Sequence, residues 1–108
     1  MTWNLVLNVH DATSPQLVGT AQVKGVSTQV LPRVGEAIVI SHAPSAQPWG
    51  LIATLVDMST AKLAQVTKVV HFLPASSEDA GIDVIVEVKA RVATASGQLK
   101  SLPGWLPA

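Results

Sequence analysis

Residues 3–10 alternate. Trp3, Leu5, Leu7 and Val9 fall on one side of an extended chain, and Asn4, Val6, Asn8 and His10 on the other. Period two over eight residues predicts a half-buried strand. DATSPQ at 11–16 is a turn cluster in which Pro15 breaks the strand. Residues 17–31 are again rich in Val and Thr, and Gly19 and Gly25 interrupt them, which predicts a bent strand or a bulge. LPRVGE at 31–36 is the clearest turn in the chain, with Pro32 presetting one dihedral and Gly35 free to take a positive φ.

Ala37 to Ser41 reads as a short strand and PSAQP at 44–48 as a loop. Residues 49–61 read two ways. Leu51, Leu55 and Met58 have helical spacing, but Gly50, Thr54 and Val56 are poor helix formers. A buried strand from Trp49 to Val56 is preferred, with one short helix near 51–61 as the alternative. Residues 62–73 predict a further strand, with Val66, Lys68 and Val70 on one face and Thr67, Val69 and His71 on the other. Pro74 stops it, and ASSEDAG at 75–81 is a loop. From 82 to 92, Ile82, Val84, Val86, Val88, Ala90 and Val92 point inward; Asp83, Ile85, Glu87, Lys89 and Arg91 point outward. TASGQ at 94–98 ends this strand, and two prolines, a glycine and Trp105 make the remaining tail extended. Five or six strands at this spacing predict an all-β fold. The expected architecture is a small antiparallel barrel, SH3-like or OB-like, formed by one domain over 1–108 with an extended apolar tail at 99–108.

Composition sharpens this picture. Val, Ile and Thr make up 29 of the 108 residues, an alphabet suited to a pleated surface. Charged residues are 13%, about half the usual share, and the formal net charge is zero. Disorder, a coiled coil and an obvious polyanion binder are thereby excluded. The absence of Cys removes disulfides, Cys-ligated metals and a thiol nucleophile, and fits a cytoplasmic protein. The first residues lack the basic start of a secretory signal. The uncharged stretch 37–56 is interrupted by Pro44 and Pro48 and is not read as a membrane span.

Candidate chemistry is sparse. His10, His42 and His71, with Asp11, are the available metal ligands, but no two histidines stand at i,i+2 or i,i+4, so no metal site is assigned. No G-x-S-x-G elbow and no glycine-rich phosphate loop is present, so no catalytic residue and no cofactor is assigned. Asp83 and Glu87 share a strand face with Lys89 and Arg91, which reads as a solvated surface with cross-strand pairing. Lys62, Lys68, Lys89 and Arg91 could share one face, but seven acidic residues balance seven basic ones and the aromatics are few, so nucleic acid is an unfavoured partner. Arg33 and Glu36 beside the Pro–Gly turn, with His71, form a candidate small-ligand site at the barrel mouth.

LPRVGE at 31–36, VTKVVH at 66–71 and the alternating strand at 82–92 resemble a loose group of small uncharacterised bacterial β-proteins, some of them carried as integron gene cassettes. The resemblance covers about half the chain, and the stretch 43–61 departs from it. It implies a small β-barrel and no established activity.

Low charge with 48% apolar residues leaves apolar surface to cover. WGLIATLV at 49–56 and LPGWLPA at 102–108 are the candidates, either packed on their own domain or buried against another copy. The preferred reading is a non-enzymatic, self-associating module. Trp49, Leu51, Ile52, Leu55, Trp105 and Leu106 would form the interface of a homo-oligomer, most simply a dimer. A small-ligand-binding barrel or minor enzyme near His71 is the alternative, and a weak nucleic-acid binder the third.

Overall fold

A computed structural model describes residues 1–14, 16–39, 49–55, 63–73, 81–90 and 97–108. The elements run β1 (Thr2–Asp11), β2 (Leu17–Ser27), β3 (Ala37–Val39), α1 (Trp49–Leu55), β4 (Leu63–His71), β5 (Ile82–Ala90) and β6 (Leu106–Pro107). The loop expectations at 44–48 and 75–80, with His42, Lys62, Pro74, Arg91 and Val92, lie outside the described residues.

The chain is mostly β, as its alphabet requires. Six strands form one sheet in the order β3-β4-β5-β1-β2-β6. The sheet is not closed into a barrel: β3 and β6 stand at opposite ends of that order. Nor is it wholly antiparallel. β1 and β2 form one hairpin and β4 and β5 another, but the two hairpins join through parallel β1 and β5. Strict alternation within each strand is equally compatible with either direction of pairing, so periodicity could not settle this point.

One face of the sheet carries the core. Trp3, Leu5, Leu7 and Val9 of β1 lie beside Val84, Val86, Val88 and Ala90 of β5, with Ala21 and Val23 of β2 and Ala64 and Val66 of β4. The indole Nε1–H of buried Trp3 donates to Thr28 Oγ1 at 2.8 Å. Ile52 and Leu55 of α1 and Leu99 and Leu102 near the C-terminus complete the same buried cluster. The strand preferred from Trp49 to Val56 is therefore corrected to a helix over Trp49–Leu55, Val56 lying outside the described residues. Trp49, Ile52 and Leu55 recur every three residues, so one helical face delivers all three to the sheet, and that burial outweighs the weak propensities of Gly50 and Thr54. The tail is corrected too. It makes a helical turn through 97–99 and further turns before pairing as β6, and Leu99 and Leu102 are buried.

Three register shifts shape the sheet, one of them between Val9 and His10, where the partner steps from Gly19 to Leu17 past Val18. Opposite Asn4 the register between β1 and β2 shifts at Lys24 and Gly25, where Gly25 has φ 72°. This is the bend that the glycine position predicted. The third is in β4: Val66 pairs with Val86 but Lys68 pairs with Ile85, leaving Thr67 as the extra residue. Consequently Val66 and Val69 share the core side, while Thr67, Lys68 and Val70 lie on the other. The expected two-face assignment of β4 is corrected accordingly.

Candidate functional site

The second face of the sheet is polar, and no described element lies over it. β1 contributes Asn4, Val6, Asn8 and His10; β5 contributes Asp83, Ile85, Glu87 and Lys89 in register beside them. Thr20 and Gln22 of β2 and Thr67, Lys68 and Val70 of β4 extend the rows. The face exists because period-two strands must put their polar set opposite the core.

Glu87 is its organising group. Asn8 Nδ2 donates to both carboxylate oxygens, at 3.3 and 3.1 Å, and Thr67 Oγ1 donates to Oε2 at 2.9 Å. His10 Nε2 lies 2.9 Å from Oε1. Burial raises the Glu87 pKa, but the bonds from His10, Thr67 and Asn8 outweigh it, so the carboxyl titrates below its usual value. Four residues back along both strands, buried Asn4 donates from Nδ2 to Asp83 Oδ1 at 3.0 Å and accepts the Gly25 N–H at 3.3 Å. Val6 and Ile85 are paired between these two clusters and are half-buried.

The chemistry this permits is limited. The Thr67 hydroxyl is directed at the Glu87 carboxylate at 2.9 Å and also lies 3.3 Å from the Ile85 carbonyl oxygen, so both side chains are bonded into the sheet face. Among the described residues no three His, Cys, Asp or Glu side chains are grouped to hold a metal ion. What remains is a surface on which Asn4, Asn8, His10, Thr67, Asp83 and Glu87 are already held by side-chain bonds, so these six lose little rotamer entropy on being covered. Among the described residues, no helix is long and apolar enough to cross a membrane.

The residues singled out from sequence are scattered. Arg33 and Glu36 form the predicted turn, closed by Glu36 N–H to Arg33 C=O at 3.0 Å and by the Arg33 N–H to Glu36 Oε1. That turn is held to β4 at Val66, through Gly35 N–H to Val66 C=O and Val66 N–H to Glu36 C=O, both 2.9 Å. His71 ends β4 opposite Ile82, five residues further on or roughly 16 Å along the strand. The turn and His71 are therefore not brought together. Of the apolar group, Ile52 and Leu55 are buried in the chain's own core. Trp49, Leu51 and Trp105 pack against that core and remain partly exposed, and Leu106 is exposed. The Glu87 cluster was missed because it is made by four residues from three strands; its one sequence signal was the polar side of the alternation in residues 4–10 and 83–89. No family model matches the chain, and no curated protein or solved structure matches it either.

Proposed function

We propose that the protein is a non-enzymatic, self-associating binding module, and that the polar sheet face is its association surface. The observation that carries this is the pair Val6 and Ile85, held half-buried between the bonded Asn4–Asp83 and Asn8–Glu87 pairs on a face that no described element covers. A second copy of the same face is the fitting partner. Asp83 and Glu87 offset Lys68 and Lys89, so a two-fold contact can set acid against base, whereas a polyanion would meet no net positive field.

Size-exclusion chromatography with light scattering over a wide concentration range tests the reading. A dimer is expected, and Ile85→Lys should return it to monomer with its circular dichroism unchanged. A wild-type chain that stays monomeric at about 1 mM, or an Ile85→Lys dimer as tight as the wild type, overturns it.

A further inference from the structure

We infer that the outer edge of β2, with the slot at Gly19, is a strand-addition site for an extended Trp-Leu-Pro segment. The chain's own tail occupies it in cis, and the tail of a second copy is the partner it fits in trans. β2 is 11 residues long, and β6 covers it over only two, through Gly19 opposite Pro107 and Thr20 opposite Leu106. Two further main-chain bonds extend the seam: Gln22 N–H to Pro103 C=O at 2.8 Å and Ala108 N–H to Val18 C=O at 3.0 Å.

This is the grammar of peptide recognition by an added strand, in which main-chain bonds hold the segment and a side-chain pocket selects it. The pocket here is cut by a missing atom. A Cβ on Gly19 would stand 2.5 Å from Trp105 Cζ2 and 2.7 Å from the Leu106 carbonyl oxygen, so only glycine lets the indole and the added strand approach. A second fitted contact lies one turn away, where a Cβ on Gly104 would come 3.3 Å from Gln22 Cβ. Beyond Trp105 the tail is loosely spent, with Leu106 68% exposed.

The occupant follows from the same geometry. The segment whose fit to this slot is visible is LPGWLPA itself, and every copy carries both slot and segment. Two copies can therefore trade tails reciprocally, each keeping all the contacts it gives up. In cis the tail competes at an effective concentration on the order of mM, so trans occupancy needs the copies to be held together or the cis tail to be disabled. The site is on β2's edge and owes nothing to the polar face, so Ile85→Lys leaves it intact.

The test disables the cis tail and offers a free one. A fluorescein-labelled peptide of sequence LPGWLPA is titrated, by anisotropy, against the full chain, the Trp105→Ala variant and the Gly19→Ala/Trp105→Ala double variant. Saturable binding to Trp105→Ala is expected, at least tenfold tighter than to the full chain and abolished by Gly19→Ala. Should Trp105→Ala fail to fold, a chain ended after Gly104 keeps buried Leu102 and serves as the acceptor. No saturation by either acceptor, or equal binding by the Gly19→Ala double variant, overturns the inference.

Discussion

At the scale of single residues, Asn4 and Glu87 each hold three strands together with side-chain bonds. Asn4 is the buried polar side chain among the described residues, and both ends of its amide are used. Asn4→Ala leaves the Gly25 N–H and one Asp83 oxygen without a partner. The expected cost is about 1–3 kcal/mol, read as a lower urea midpoint at unchanged slope. Glu87 is more exposed, and its contribution is screened, so Glu87→Gln should cost no more than about 1 kcal/mol near neutral pH. The pH dependence has a definite sign. The folded-state pKa is lowered, so the stabilisation is fully present above the unfolded value and is lost as pH falls through the folded one. Wild type and Glu87→Gln should therefore differ at pH 7 and converge only as the pH falls through the folded-state pKa, which lies below the ordinary carboxylate value. A gap that widens on acidification would contradict the assignment of Glu87 as a stabilising carboxylate.

At the scale of elements, the bulge at Thr67 and the helix at 49–55 mark where the sequence was legible and where it was not. Strands β1 and β5 were plain, because their buried positions recur at period two even though Val6 and Ile85 put an apolar residue on the polar side. β4 has the same composition, yet one extra residue moves Lys68 to the polar side and Val69 to the core, and nothing local to VTKVV announces it. The helix was hidden for another reason: its drive comes from the sheet face it covers, which period and propensity within 49–55 do not contain. Both explanations have consequences. Deleting Thr67 removes the bulge without flipping Val69 or Lys68. It should cost only the bond to Glu87, about 1 kcal/mol, and the variant should fold. Deleting Ile85 instead shifts Ile82 and Val84 against their partners and should abolish cooperative unfolding. Ile52→Ala, which empties a site fully buried against the sheet, should cost about 2–5 kcal/mol in urea unfolding.

At the scale of the whole molecule, the decisive fact is the parallel seam between β1 and β5. Asn4 and Asp83 meet there across 79 positions of sequence, as do Asn8 and Glu87. The polar cluster is thus a product of topology, and no reading of either strand alone could assemble it. Wiring of this kind also governs how the chain folds. Each hairpin can close locally, but neither buries its apolar side until β5 docks on β1, and the loop entropy of that docking comes before its reward. Refolding by dilution from urea, followed by tryptophan fluorescence, should therefore proceed in milliseconds to seconds rather than microseconds. A slower minor phase of about 10–100 s is expected from the seven prolines, and a double-jump from briefly unfolded protein should remove it. Relaxation within tens of microseconds would mean that the barrier is crossed before the seam forms. In that case the two hairpins and α1 must hold native structure without β1 and β5 in contact.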